Sequence, residues 1–253
     1  SVDTIAREIA RMSIEAACDL PKDVEAALRA AAEQEESAFG KYAMDKVCRN
    51  FEIAREQGVP MCQDTGMAIV FAEVGQDVHI VGGSFEDAVN AGIAQGYADG
   101  YLRKSTVIDP LLDRRNAGDN TPAIIYARLV PGDSLTLTLM PKGAGSENMS
   151  RLKMLKPAEG LAGVKDFVLQ AVVEAGGNPC PPTIVGVGIG GTMDRAAYYS
   201  KKALVRSINE RNPMPEYAKL EGELLEMINK TGIGPQLGGS VSALAVNVEW
   251  GPT

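Results

Sequence analysis

The stretch MCQDTG, Met61 to Gly66, sets a thiol beside an amide, a carboxylate and a hydroxyl, just ahead of the apolar run MAIVFAEVG. A thiol in such company can fill a core, attack a substrate or hold a metal. Attack needs a base beside the sulfur. The lone imidazole, His79, lies in DVHIVG, where an alternating pattern already accounts for it as a structural residue of a strand. A single histidine also makes a His-rich zinc site or a Ser-His-Asp triad hard to build. Metal coordination is therefore the favoured reading of Cys62. Cys180 has a comparable setting, bracketed by prolines in NPCPP. Proline fixes φ and lacks an N–H, so this turn is stiff and lies outside any sheet interior, which suits a ligand that must point at one place. Two loop thiolates can form part of an iron–sulfur site, because soft sulfur selects such clusters and the ligands need not be close in sequence. Two are not a full set, however, and Cys18 and Cys48 fall inside helix patterns, where they read as small buried hydrophobes.

Basic side chains gather at the turns. Arg103 and Lys104 open a polar loop, RKSTVIDPLLDRRNAGDNTPA, that also carries Arg114 and Arg115, and Lys142, Arg151 and Lys153 flank GAGSEN. The planar fork of Arg binds both oxygens of a carboxylate at once, and Arg103 stands directly before the loop. At about twenty residues the loop is long for a connector, which marks it as functional. The segment GVGIGG satisfies G-x-G-x-x-G through Gly186, Gly188 and Gly191, between a strand and a helix. A dinucleotide unit also needs a second strand ending in an acid about 20 residues on. Glu210 falls near that distance but within INERNPMPEY, which is no strand. The glycines read instead as permitting close backbone approach, with an anion at the helix N-terminus they open as a further expectation.

These residues require elements to position them. Ile5, Ile9, Met12 and Ala16 recur at helical spacing, Leu20-Pro21 breaks the pattern, and Val24, Leu28 and Ala31 resume it. A third helix runs through Met44, Val47, Phe51 and Ala54 to a stop at Gly58-Val59-Pro60. Beyond it the spacing predicts strands at MAIVFAEVG and VHIVGG and a helix capped by Ser84. IIYARLV and SLTLTLMP, joined through Pro131-Gly132-Asp133, read as a hairpin. A helix over LAGVKDFVLQAVVEAGG, the strand TIVGVGIG, two helices and a last strand complete the chain. The fold class is α/β of the mixed α+β kind, an N-terminal helical layer followed by a mixed sheet flanked by helices. It reads as one domain over 1–253, with a helical lead at 1–57 and a sheet-containing body at 58–253, and its C-terminal end reads as truncated.

The 253 residues carry a net charge of −8 and a pI near 4.9, which argues against a nucleic-acid or anionic-membrane binder. Small anions remain possible substrates, because a local cluster of Arg and Lys can catch them in an acidic protein. No apolar window of membrane-spanning length occurs, and four scattered cysteines suit a reducing compartment, so a cytoplasmic protein is expected.

Taken together and in order, CQDTG, LRKS, GDNTPA, KGAGSENMS, NPCPP, VGVGIGG and GIGPQ resemble the α subunit, or N-terminal half, of the class I iron–sulfur-dependent fumarate hydratases. The resemblance covers nearly the whole chain. The related L-tartrate dehydratase α subunit shares CQDTG and the proline-flanked cysteine but differs at KGAGSENMS, which favours the fumarase reading. The resemblance implies a [4Fe–4S] cluster on three cysteines, with one iron left open to act as a Lewis acid. Cys62 and Cys180 match two of those ligands. The third follows a segment like GPTHIA and is not present in this chain, which ends Gly251-Pro252-Thr253. Carried over by motif, Asp64 is the acid–base group at the hydroxyl, Gln63 and Gly145 contact substrate, and Arg103 clamps a carboxylate. The family's second proton-transfer group lies in a β subunit, so the chain is expected to be inactive alone. A hetero-oligomer with that β subunit is expected, with an α–α dimer possible within it. The implied reaction is reversible hydration of fumarate to L-malate, a tricarboxylic acid cycle step. L-tartrate or a related hydroxy-diacid is the alternative substrate, and a nucleotide-binding module built on 186–191 is the remote one.

Overall fold

The computed structural model describes residues 1–253, which fall into two compact units. One comprises Ser1–Leu20 with Asn50–Ala144, the other Pro21–Arg49 with Gly145–Thr253. The predicted lead helices form as α1 (Val2–Cys18), α2 (Lys22–Gln34) and α3 (Ala38–Gln57), but α1 packs within the first unit and α2 within the second.

In the first unit, β1 (Met67–Gly75) is buried on both faces from Ala68 to Ala72. A strand with that pattern belongs in the middle of a sheet. β2 (Ile124–Val130) pairs with it in parallel, Ile69 opposite Ile124, and β3 (Leu135–Lys142) pairs antiparallel, Met67 opposite Lys142, giving the order β2-β1-β3. The parallel pair needs a long crossover, and α4 (Phe85–Asp99) supplies it, its N-cap Ser84 Oγ accepting from Asp87 N. Ile9, Val89, Ile93 and Tyr97, all fully buried, join α1 and α4 over Ala68 and Val70.

Two expectations fail in this unit. β2 and β3 are not a hairpin: the chain does reverse at 131–134, but β1 lies between the two strands. Two strand spacings are about 9–10 Å, within reach of a four-residue connection. The connection crosses the end of β1, where Gly75 N donates to Ser134 O at 2.9 Å and Asp77 N to Gly132 O at 3.0 Å. VHIVGG forms no strand either. After Gly75 the chain turns back, with Val78 N donating to Gly75 O at 3.0 Å, and His79 is an exposed loop residue.

After the single-turn helix α5 (Ala144–Glu147), the second unit's strands β4 (Thr183–Gly190) and β5 (Ala243–Gly251) pair in parallel. α7 (Met193–Ala203) and α8 (Pro215–Asn229) pack on this pair, and α6 (Gly160–Ala175) packs on α8. Val187, Leu220, Leu224, Ile228, Val246 and Val248 form the core. α7 lies so close to β4 that a Cβ on Gly188 would sit 2.0 Å from Ala196 O, and one on Gly186 2.2 Å from Ser200 O. The glycine motif is therefore used up by helix–strand packing, as the close-approach reading has it. At the helix N-terminus, the expected place for an anion, the first turn carries its own carboxylate, Asp194, which accepts from Thr192 Oγ1 at 2.5 Å. Glu210 lies outside any strand, in the connection between α7 and α8. No helix is long and apolar enough to cross a membrane.

Gly188→Ala should force α7 off β4 and lower stability on the order of 3 kcal/mol. Gly222→Ala, on α8 with nothing within 4 Å of its would-be Cβ, should instead raise stability by up to about 1 kcal/mol. Urea unfolding midpoints of the two variants check the pair.

Candidate active site

In the first unit the chain leaves α3, crosses Met61–Gly66 and enters β1. Met61 N donates to Ala17 O at 3.0 Å, and Asn50 Nδ2 donates to Met61 O at 2.7 Å, so the turn is anchored before the thiol. Cys62 and Gln63 are exposed. Asp64 N donates to Cys62 Sγ at 3.4 Å, which ties the thiol to the turn that carries the acid. The Asp64 carboxylate is fixed by backbone donors: Gly66 N lies 3.2 Å from Oδ1 and Ala144 N 2.8 Å from Oδ2. Gly66 has φ +68, and a Cβ there would lie 2.3 Å from the Lys142 carbonyl oxygen, so only glycine fits.

The segment carrying Arg103 is tied to this turn. Thr65 Oγ1 donates to Arg103 O at 2.9 Å, and Leu102 N donates to Tyr97 O at 3.0 Å. Tyr97, fully buried on α4, donates its hydroxyl to Thr65 O at 2.9 Å and to Gly66 O at 3.2 Å. Burial first, and the Asp64 charge second, push the Tyr97 hydroxyl up to about 12, so it stays a donor at any physiological pH. The polar loop beyond Arg103 is folded on itself by the Val107–Asn116 bridge and by bonds from Ile108 N to Arg115 O at 2.8 Å and Ala117 N to Thr106 O at 2.9 Å. Its other arginines are engaged within it: Arg114 Nη1 donates to Pro110 O at 2.6 Å, and Arg115 pairs with Asp113 at 3.4 Å. The exposed Arg103 guanidinium has no partner within the chain.

In the second unit, Cys180 is exposed and holds φ +57, which costs a non-glycine residue on the order of 1–3 kcal/mol and persists only where neighbours enforce it. The enforcers are visible. Cys180 N donates to Gly177 O at 3.0 Å, and Gln236, itself at φ +56, sends its backbone N and its Nε2 to Pro181 O at 2.8 and 2.9 Å. Gly145 lies beside the same turn, where a Cβ would be 3.1 Å from Asn178 O. GAGSEN is secured by Lys201 Nζ, which donates to both Glu147 oxygens at 2.6 and 2.7 Å. The loop bearing Gln236 is secured by Glu35, whose buried carboxylate accepts from Ser240 N at 2.9 Å and Val241 N at 3.1 Å. Burial pushes the Glu35 carboxyl up, but donors from Ser37, Ser240 and Val241 outweigh it and hold the group below the usual carboxylate range.

The first unit thus assembles Cys62, Gln63, Asp64 and Arg103, and the second assembles Gly145 with Cys180. Whether the cluster implied by the resemblance suits these residues turns on the thiols. None of the four cysteines is disulfide-bonded; Cys18 is buried in α1 as expected, and Cys48 is half-buried in α3. Cys62 and Cys180 are exposed on turns and fit as ligands. No three Cys, His, Asp or Glu side chains converge into a complete donor set.

Residues 6–253 match the family described as fumarate hydratase (fumerase). The chain belongs to that family. Fumarate hydratases are hydro-lyases, and this fumarate hydratase family chain is similar along most of its length to two named relatives. It is 44% identical over 245 residues to a putative L(+)-tartrate dehydratase subunit alpha of Methanocaldococcus jannaschii, covering 93% of this chain and 84% of the relative. It is 31% identical over 252 residues to the L(+)-tartrate dehydratase subunit alpha of Escherichia coli K12, covering 98% and 83%.

Within this family member, Thr65, Tyr97, Asn120, Gln236 and Glu35 hold the candidate residues in place; the motifs CQDTG, GDNTPA and GIGPQ contain Thr65, Asn120 and Gln236 without revealing that role, and Tyr97 and Glu35 lie outside every motif. Asn120 carried one signal, an Asn two residues before Pro in GDNTPA, a context that tolerates the left-handed region. Glu35 carried none, because EQEES reads as a solvated helix end.

Glu35→Gln should turn one acceptor into a donor facing backbone N–H groups and cost about 1–3 kcal/mol at pH 7. A depressed folded-state pKa gives stability that is complete above the unfolded value, near 4.5, and lost as pH falls through the folded one. The gap between wild type and variant should therefore close on acidification from pH 7 toward about 3, as chemical unfolding at each pH would show.

Proposed function

We propose that the chain is the α subunit of a [4Fe–4S]-dependent hydro-lyase that interconverts fumarate and L-malate together with a β subunit. The observation that carries this reading is that the first unit holds both an unpartnered Arg103 guanidinium and an Asp64 carboxylate fixed by backbone N–H groups, on segments joined through the Thr65 bond to Arg103 O. A dicarboxylate needs a bidentate cation to hold one end and a positioned acid–base group at the reacting carbon. Cys62 and Cys180 are two of the cluster ligands in this proposal, with a third donor outside these 253 residues. When bound, the cluster supplies a Lewis-acidic iron that polarises the substrate hydroxyl.

The chain's own side chains do the remainder of its share. Asp64 gives the proton to the departing hydroxyl, or takes one from water in the hydration direction. Gln63 Oε1 faces Cys62 Sγ at 3.7 Å, which leaves its Nε2 to donate to a substrate oxygen. The Gly145 N–H donates to a substrate carboxylate. Arg103 binds a carboxylate and stabilises the negative charge that builds as the C3 proton moves. The base at C3 belongs to the β subunit, so turnover requires the assembled αβ, or doubled αβ, enzyme in a compartment that keeps the thiols reduced.

A second reading, dehydration of L(+)-tartrate, is favoured by the names of the two relatives. Tartrate carries one more hydroxyl than malate, and a site built to hydrogen-bond it would reject malate on the order of 10⁴-fold in kcat/KM. Comparing kcat/KM for the two acids on the assembled enzyme decides between them. In that enzyme Asp64→Asn should lower kcat on the order of 10²- to 10⁴-fold while the visible absorbance of the cluster persists. Undiminished turnover would remove Asp64 from the chemistry.

A further inference from the structure

An arginine with no internal partner is aimed only as well as its backbone is held. The Arg103 backbone is held at three points. Leu102, buried, donates its N–H to Tyr97 O; Thr65 Oγ1 donates to Arg103 O; and Ser105 N and Thr106 N donate to Asn120 Oδ1 at 2.7 and 3.1 Å. The third point also reaches the turn carrying Asp64. Asn120 is fully buried, and its Nδ2 donates to Gly66 O at 3.0 Å, while Oδ1 accepts a further contact from Thr106 Oγ1 at 3.2 Å. One side chain thus accepts from the arginine segment and donates to the acid turn. It does so from a left-handed backbone, φ +65, a conformation that Asn tolerates better than most residues.

Only a side chain with a carbonyl and an amine on one carbon can serve both segments. Aspartate would face Gly66 O with a second acceptor, and leucine would leave Ser105 N and Thr106 N without their acceptor and Gly66 O with one donor instead of two. We propose that Asn120 is a positioning residue that sets the Arg103 carboxylate clamp against Asp64. This rests on the reading of Arg103 given above. Asn120 touches no substrate; its effect on binding passes through the guanidinium.

The test is a double-mutant cycle on the assembled enzyme, with whichever of L-malate and L(+)-tartrate the wild type dehydrates, reading KM, kcat and the inhibition constant of succinate. Arg103→Met should raise KM on the order of 100-fold. Asn120→Ala should raise KM and the succinate constant on the order of tenfold with a smaller change in kcat, and less than about twofold once Arg103 is already Met. Thr65→Val removes only the bond to Arg103 O. It should raise KM by about threefold, again with no further effect in the Arg103→Met background, and it serves if Asn120→Ala does not fold. The inference is overturned if either variant's KM factor carries unchanged into the Arg103→Met background, as a merely structural role requires. An unchanged KM in Arg103→Met alone would overturn the clamp, and the role of Asn120 with it.

Discussion

The carbonyl oxygen of Gly66 has two lone pairs, and the first unit spends them on Tyr97 Oη and Asn120 Nδ2, both from fully buried side chains. Around that atom the unit's chemistry is laid out. The preceding residues carry Cys62, Gln63 and Asp64, the next residue starts the central strand, and Asn120 leads back to the arginine segment. The left-handed φ of Gly66 and its lack of a Cβ let the Lys142 carbonyl pass closely, which brings Ala144 N onto Asp64. A buried polar network of this kind is favourable only when every member is satisfied. Here the satisfied members are backbone groups of the segments that carry the candidate residues.

The second unit solves the same problem with strain. Cys180 and Gln236 both sit in the left-handed region and face each other's turns, and the Gln236 donors to Pro181 O hold the pair. The other non-glycine residues with positive φ, Tyr101, Arg114 and Asn120, all lie in the polar loop or at its borders. Positive φ at non-glycine residues is thus confined to segments that carry or brace the candidate residues, a distribution that marks places where geometry outweighs local preference. Glu35 shows what supports it: a carboxylate taken out of water and compensated by N–H donors of the loop next to the strained turn.

What the sequence made legible follows from local rules. Helix periodicity placed α1, α3, α4, α6 and α8, Ser84 announced its cap, and the prolines around Cys180 announced a stiff turn. Strand order was not legible, because Pro131-Gly132-Asp133 specifies a reversal and says nothing of what fills the gap it spans. The clue lay elsewhere, in the unbroken apolar run Ala68–Ala72, which only a central strand can bury. The cysteine, acid and arginine of the candidate site stood out by residue type. Their supports did not, since Asn120 and Glu35 look like surface residues until the chain encloses them.

The strand that follows the acid turn sits between two partners that come much later in the chain, Ile124–Val130 and Leu135–Lys142. During synthesis Met67–Gly75 emerges with both edges open; one can close only once residue 130 has left the ribosome, and the other only once residue 142 has. Such distant pairings are slow to form, and exposed edges invite intermolecular association. The nascent chain therefore passes through a vulnerable interval whose length is set by translation speed, and the acid turn takes its final shape only when that interval ends.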